Sequence, residues 1–280
     1  MQEQQIKGLN GWVEFLSSAE IPVLKQSARD IAALRKDAEH LGARAMAAVV
    51  LRDPMLTAKL LRYLQQHKHR SQEHEVVEVE QALLMLGVET IFNRLPLQPV
   101  MDEVLHGHLD ALICALRVVH RSNRAATYAY DWAVRQRDMH FEEVHVATLL
   151  HDLAELLMWC FAPATMLHIH ALQLHDKTLR SHDVQEQVLG FPLSELQSAL
   201  AVKWGLPRLL LTLMDDACAQ QPRVRTVTLA VNLARHSAVD WNDAALPDDY
   251  KNIAELLNMS AEDAAAMVVP KEMAQSSAGD

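Results

Sequence analysis

Residues 142–161, EEVHVATLLHDLAELLMWCF, form the most apolar stretch of the chain and decide its fold class. Apolar side chains recur at helical spacing along it, as expected of a helix that packs in a protein core. Within this stretch His151 and Asp152 are an adjacent ionisable pair. A buried carboxylate is costly unless a cation, a metal ion or a hydrogen-bond network compensates it. The stretch therefore predicts a core helix that carries a candidate site.

The composition of the 280 residues favours helices throughout. Half of the residues are apolar, which is enough for a sizeable core. The chain has 8 Gly and 10 Pro, where average usage would give about 20 and 14. So few glycines disfavour the turns of sandwiches and barrels, and also Gly-rich nucleotide-binding loops. We therefore predict an all-α fold, compact and multi-helical, built as one body or as two helical lobes joined near residues 96–108.

Individual residues predict where several helices begin and end. Asp53 followed by Pro54 is typical of a helix start, with Asp as the N-cap and Pro at the first helical position. Gly87 and Gly190 follow helical stretches, and we predict that both adopt a positive φ in the left-handed region as C-caps. Ser260 is the predicted N-cap of a last short helix.

The charge balance disfavours nucleic acid as a partner. The chain has 26 basic and 36 acidic side chains, a formal net charge of −10, so its surface has no general attraction for phosphate backbones. One short basic patch lies at residues 117–124, RVVHRSNR. We interpret it as a solvated helix face rather than as a phosphate-binding surface.

The sequence predicts a cytoplasmic protein that makes no contact with a membrane. No uninterrupted apolar run approaches the ~18 residues of a membrane span, and the first residues, MQEQQIKGLNGW, do not resemble a signal peptide. The three cysteines, Cys114, Cys160 and Cys218, are widely spaced and odd in number. They fit neither a disulfide framework nor a zinc site, which favours a reducing compartment.

Histidines are numerous, 15 in all, and one of them could complete a site with His151 and Asp152. Two adjacent ligands on a helix point about 100° apart, so a third ligand has to come from another helix. His120, on the preceding predicted helix, is the candidate. In the alternative interpretation, His151 bonds a backbone carbonyl and Asp152 caps a neighbouring helix.

Six other histidines fall into two groups whose spacing favours solvent exposure over metal binding. They are His67, His69 and His74 in a polar loop, and His168, His170 and His175 on an amphipathic helix.

A short lead and the four motifs after it, in this order and spacing, resemble the HDOD family of bacterial signalling domains. A lead at Ile21-Pro22-Val23 precedes the helix start at Asp53-Pro54, and a Leu-Gly joint follows at residues 86–87. LLHD lies at residues 149–152, and W-x-LP lies at residues 204–207. Each motif is weak alone, but the ordered set is specific.

The resemblance covers most of the chain and divides it into three parts. Residues 1–19 form an N-terminal helix, and residues 20–237 form the HDOD domain. The domain would comprise a first lobe at about 20–100 and an HD-like lobe at about 101–237. Residues 238–280 would supply C-terminal helices and a frayed tail.

The HDOD fold is related to HD metal-dependent phosphohydrolases, in which a His, a His-Asp doublet and a later Asp hold a divalent metal. By this resemblance His120 corresponds to the first His, and His151 and Asp152 correspond to the doublet. Asn232 stands where the family relatives have the Asp, and a neutral amide is a much poorer ligand for a hard cation. What remains is a three-ligand set, His120, His151 and Asp152, able to hold one divalent transition metal.

Further departures from the pattern weaken the case for hydrolysis. Leu193 and Glu195 occupy the stretch where relatives have a His after the second Leu-Gly joint, and Asp215-Asp216 replaces a His-His pair. No GYP triplet follows the doublet, which disfavours the cyclic-dinucleotide phosphodiesterase branch.

Two functions from different classes follow from the resemblance. The first is a non-catalytic signalling module that binds a protein partner or a small effector. The alternative is a metal-dependent phosphohydrolase with a degenerate ligand set.

Overall fold

The computed structural model describes residues 6–37, 42–67, 75–176 and 178–270. Within these ranges the chain forms seventeen α-helices and no β-strand, and 74% of the structure is helical. One isolated bridge pairs Val23 with Val100. The prediction of an all-α fold is confirmed.

The long central helix is α8 (Leu109–Arg135). The helices before it are α1 (Gly8–Ser18), α2 (Lys25–Lys36), α3 (Ala43–Val50), α4 (Pro54–Gln66), α5 (Val79–Leu86), α6 (Val88–Arg94) and α7 (Met101–Val104). The helices after it are α9 (Phe141–Leu150), α10 (Leu153–Phe161), α11 (Pro163–His175), α12 (Ser181–Leu189), α13 (Leu193–Lys203), α14 (Arg208–Leu213), α15 (Pro222–His236), α16 (Leu246–Leu257) and α17 (Ala261–Val268).

Asp53 is the N-cap of α4, as predicted, and it also binds the segment at Leu24. Its Oδ1 accepts hydrogen bonds of 3.0 Å from the backbone N–H groups of Met55 and Leu56. Its Oδ2 accepts one of 2.8 Å from Leu24, 29 residues earlier. Because the carboxylate is fully buried, these donors replace the water that it loses.

The predicted glycine caps adopt positive φ, but they differ in ψ. Gly190 ends α12 in the left-handed region, at φ 82° and ψ 6°. Gly87 combines φ 78° with ψ 128°, so its predicted left-handed conformation is wrong. The difference arises because α6 begins at the next residue, Val88, and an extended ψ turns the chain directly into it.

Helix α8 packs against α9, α10 and α15, and these four helices surround the candidate site. The side of α8 that faces the core is rich in alanine, which lets neighbouring helices approach closely, and it includes the fully buried Trp132.

The prediction of a single helix over residues 142–161 is wrong in one respect. The structure breaks this segment at His151 and Asp152 into α9 and α10. Gln197 of α13 compensates the break. Its Nε2 donates to the Leu150 carbonyl at 3.0 Å, and its Oε1 accepts from the Ala154 N–H at 2.7 Å. In an unbroken helix these two backbone groups would bond to each other, so the buried amide takes the place of that hydrogen bond.

By length and apolarity alone, Phe141–Phe161 is the one candidate for a membrane span in the described part of the chain. It contains the break just described, and 72% of its most apolar window is buried inside the fold. Its two helices, α9 and α10, therefore have the properties of core helices.

Candidate functional site

Asp152, at the break between α9 and α10, is held by an arginine of the central helix. Arg121 Nε and Nη2 lie 3.0 and 2.6 Å from Asp152 Oδ2. Arg121 Nη2 also donates to Glu155 Oε2 at 2.8 Å. The Arg121 and Asp152 side chains are only 16% and 10% exposed, so this ion pair is largely shielded from solvent.

The other oxygen of Asp152 also faces cationic groups. His151 Nδ1 lies 3.1 Å from Asp152 Oδ1, and Arg235 Nη2 of α15 lies 3.5 Å from it. His151 Nε2 lies 3.5 Å from Asp216 Oδ1, which is too long for a good hydrogen bond. Both ring nitrogens of His151 are therefore directed at carboxylates.

These groups form a charge-balanced set, which we call the ion cluster. Its cations are Arg121, His151 and Arg235, and its carboxylates are Asp152, Glu155 and Asp216. Five of the six residues come from helices or from the break between α9 and α10, and Asp216 begins a 3₁₀ turn after α14.

The ion cluster shifts the protonation of its members. Burial by itself lowers the pKa of His151, but the Asp152 and Asp216 carboxylates outweigh burial and raise this pKa to about 9. Burial by itself raises the pKa of Asp152, but the Arg121 charge and the His151 hydrogen bond hold it well below its usual range. The pKa of Asp216 is lowered, chiefly by His151. At neutral pH the imidazole is therefore charged between two ionised carboxylates.

The structure brings only two of the four predicted site residues together. His151 and Asp152 are in contact, but His120 is exposed and lines a different cavity. Asn232 is partly buried on α15, outside the cavity that Arg235, one turn later, helps to line. In the described ranges no three His, Cys, Asp or Glu residues are placed to hold a metal ion. The expected set of His120, His151 and Asp152 is thus not assembled.

Arg121, rather than its neighbour His120, is the residue of α8 that reaches the doublet. The helical period of the sequence already indicates that Arg121, and not His120, points inward. Arg121 is three residues after Val118 and four before Ala125, both buried, so it lies on the inward side of α8. His120 has the corresponding spacing to Leu116 and Arg124, on the outer side. The partners Glu155, Asp216 and Arg235 had no comparable local signal.

The remaining histidines behave mostly as predicted. His168 and His175 are exposed. His67 is also exposed and stacks on Tyr63 with ring centroids 4.0 Å apart. His69 and His74 lie outside the described residues. His170 is partly buried and lines the cavities described next.

A polar cavity of about 460 Å³ opens beside the ion cluster, between α10, α11, α12 and α13. Besides members of the cluster, its walls carry uncharged polar side chains that can donate and accept hydrogen bonds. These are Gln173, Ser181, Ser194, Gln185 and Gln197. Its volume lies in the range of small-molecule sites.

A second and more apolar cavity of about 800 Å³ lies against the outer side of α8. Four residues line both cavities and form the wall between them: Arg121, Glu155, Trp159 and His170. Trp159 Nε1 donates to Glu155 Oε1 at 3.4 Å, and its indole contacts the His170 ring edge to face.

The ion cluster does not fit the divalent metal that the HD relationship implies. Metal ligands must direct free lone pairs at the ion, but both oxygens of Asp152 face cations and Arg121 has no lone pair to offer. His151 directs both ring nitrogens at carboxylates. The Arg121 guanidinium supplies positive charge at Asp152, where a metal ion would otherwise supply it.

The HDOD domain family matches residues 21–219, and the chain belongs to this family. Two solved structures share the fold over nearly their whole length. The MmoQ response regulator of Methylococcus capsulatus str. Bath is 18% identical, with a TM-score of 0.62 over 90% of this chain and 99% of its own. A virulence factor of Campylobacter jejuni subsp. jejuni is 16% identical, with a TM-score of 0.67 over 94% and 96%. No curated protein matches the chain.

Proposed function

We propose that this chain is a non-catalytic signalling module of the HDOD type, which acts by binding a protein partner or a small effector. The observation that carries the proposal is the contact of Arg121 with Asp152, at 2.6 and 3.0 Å, in the centre of the HD-like site. The guanidinium neutralises the carboxylate around which a catalytic metal site would have to be built.

Hydrolysis of a phosphate ester by an HD-type site requires a metal ion that lowers the pKa of a bound water and stabilises the developing charge. In this chain the net charge of the ion cluster is zero, so it has little attraction for a further cation. Asn232 adds no charge. The alternative function, a metal-dependent phosphohydrolase, therefore lacks its first requirement.

Two observations support signalling through binding. The similar structure from Methylococcus capsulatus is that of a response regulator, which is compatible with a regulatory role for the shared fold. The polar cavity beside the ion cluster has the volume and the hydrogen-bonding groups of a small-effector site.

A cytoplasmic location is part of the same proposal. Cys114, Cys160 and Cys218 are free thiols, which is typical of proteins in a reducing compartment.

The test combines metal analysis with a hydrolysis panel. The purified chain is assayed for bound metals, and then for turnover of phosphomonoesters, phosphodiesters and nucleotides with Mg²⁺, Mn²⁺, Fe²⁺ or Zn²⁺ added. We expect no stoichiometric metal and no turnover above the buffer blank.

Three variants make the panel decisive. Metal-dependent turnover that disappears in both His151→Ala and Asp152→Ala would refute the proposal and establish a hydrolase. His120→Ala is the matched control, because this exposed histidine lies outside the ion cluster. Loss of turnover in His120→Ala as well would establish the three-ligand set that the family resemblance implied.

A further inference from the structure

The second cavity, on the outer side of α8, has features that the proposed function does not use. We call it the basic groove and define it by Ile113, Leu116, Arg117, Arg124 and Val239, which all line it. We propose that the basic groove binds an acidic amphipathic helix of a partner protein. This inference rests on the proposed function and deepens it by naming the chemistry of the partner.

At the floor and edge of the groove, apolar side chains are exposed to an unusual degree. Ile113 is 40% exposed, Leu116 is 44% exposed, and Val239 is 95% exposed. Leu109, 67% exposed, extends the same side of α8, since residues 109, 113 and 116 are spaced by four and three. Clustered exposed apolar residues of this kind are typical of interaction surfaces.

Two arginines at the groove have no carboxylate partner among the described residues. Arg117 is exposed and makes no ion pair there. Arg124 donates to the Ser237 hydroxyl and carbonyl at 2.9 and 3.3 Å, and its guanidinium lies 5.5 Å from the centre of the Trp241 ring. These contacts orient its positive charge without neutralising it. In contrast, Arg121, between them in the sequence, is neutralised by the ion cluster.

In a chain with a net charge of −10, the groove places positive charge directly beside exposed apolar side chains. Acidic side chains are available throughout the sequence, yet none of those described pairs with Arg117 or Arg124. Charges arranged in this way select a partner of opposite sign and speed its association. The partner should therefore be acidic where it meets α8.

The spacing of the arginines favours a helix as the occupant. Arg117 and Arg124 are seven positions apart, which corresponds to about 10 Å along the helix axis. Two carboxylates seven residues apart on a helix lying along α8 have the same separation. Apolar side chains between them, on the same face, would contact Leu116 and Val239. This is helix-in-groove recognition.

A nucleic acid fits the groove less well. Phosphate backbones need a continuous series of cations or stacking surfaces, but the groove offers only two unpaired arginines, beside the exposed aliphatic side chains of Ile113, Leu116 and Val239. The helix uses both the apolar and the charged surfaces, whereas a phosphate backbone would use only the charged one.

The test is a selection against the purified chain from a library of amphipathic helical peptides with randomised polar positions. We expect the enriched peptides to carry Asp or Glu at two positions seven residues apart. Fluorescence anisotropy then measures their Kd for variants. Arg117→Glu should weaken binding at least about tenfold, and Leu116→Ser should weaken it about three- to tenfold.

Matched controls separate the groove from the rest of the surface. Arg135→Glu changes an exposed arginine in the last turn of α8, and Val202→Ser changes a 64% exposed valine on α13. Both should leave the Kd unchanged. Arg124 is not used, because it also holds Ser237 and Trp241.

Several results would overturn the inference. They are the absence of enriched peptides, enriched peptides without the acidic pair, and peptides whose affinity is insensitive to Arg117→Glu. Binding of a single- or double-stranded oligonucleotide that depends on Arg117, with no peptide binding, would assign the groove to nucleic acid instead. None of these results depends on metal content or hydrolysis, so failure here is distinguishable from failure of the proposed function.

Discussion

Asp53 and Asp152 are shielded from water in different parts of the molecule, and their pKa values shift in opposite directions. Asp53 accepts hydrogen bonds from backbone N–H groups and forms no ion pair with any described residue, so burial raises its pKa. Burial also acts to raise the pKa of Asp152, but the charge of Arg121 reverses the effect. Burial raises the pKa of a carboxyl group, and a cation beside the group can reverse that shift.

The two residues also differ in what they organise. Asp53 joins the start of α4 to the segment at Leu24, and is therefore part of the framework of the fold. Asp152 gathers charged side chains from several elements at the edge of a cavity, and is therefore part of a site. Substitutions at Asp53, at Asp152 and at the partners of Asp152 test this difference.

Asp53→Ala should have the largest effect on stability. The substitution leaves three buried or partly buried N–H groups without an acceptor and removes a helix N-cap. We expect a loss of about 3–5 kcal/mol in the free energy of unfolding, measured by chemical denaturation. Asp53→Asn is the matched control, because it keeps the shape and one oxygen acceptor, and it should lose clearly less. A loss below about 1 kcal/mol in the alanine variant would contradict the role assigned to Asp53.

Asp152→Ala should cost less, about 1–3 kcal/mol. The reason is that Arg121 keeps Glu155 as a partner, and water from the adjacent cavity can reach it. A double-mutant cycle with Arg121→Ala should give a coupling of at least about 1 kcal/mol, because the two side chains form one ion pair. Strictly additive losses would show that the pair is not formed in solution.

The ion cluster should make stability depend on pH in the range where His151 changes charge. Its pKa is raised to about 9 in the folded protein, against about 6.5 in an unfolded chain. The stabilisation is therefore complete below about pH 6.5 and is lost as the pH rises through about 9. Unfolding measured between pH 6 and 9.5 should show this decline, and His151→Gln should reduce it.

His175→Gln, which changes an exposed histidine on α11, is the control for the pH series and should leave the decline intact. A titration of the His151 ring protons by NMR gives an independent reading of the same pKa. A midpoint below 6.5 would contradict the charged state of the cluster.

Arg235→Ala should have the smallest effect, below about 0.5 kcal/mol. Arg235 Nη2 is 3.5 Å from Asp152, and its side chain is 47% exposed, so solvent screens most of the attraction. Chemical denaturation measures the difference from the unsubstituted chain. A loss above about 1 kcal/mol would mean that Arg235 holds Asp152 as tightly as Arg121 does.

Much of the fold could be predicted because its signals are local. The scarcity of glycine and the helical period predict an all-α chain, and the cap at Asp53-Pro54 predicts the start of α4. The ψ of Gly87 was missed, because it depends on the direction of the next helix. The position of the break at His151 and Asp152 was missed as well, since it depends on Gln197, 43 residues beyond Ala154.

The site was predicted less completely, and the reason is physical. The His151-Asp152 doublet is visible in the sequence because charged residues interrupt an apolar run. Its partners are not, because Arg121, Asp216 and Arg235 come from separate elements that meet only when α8, α10 and α15 pack together. His120 appeared to be the partner by residue type, but helix geometry directs its neighbour Arg121 inward.

Residue order and short-range periodicity are enough to predict the helical class, the HDOD family and the location of the doublet. The neutralisation of Asp152 by arginine and histidine side chains arises only when the helices pack. The same packing places the polar cavity on one side of the Arg121–Glu155 wall and the basic groove on the other. Charge compensation requires side chains to lie within a few ångströms of one another. For residues far apart in the sequence, helix packing sets these distances, and no short stretch of sequence encodes them.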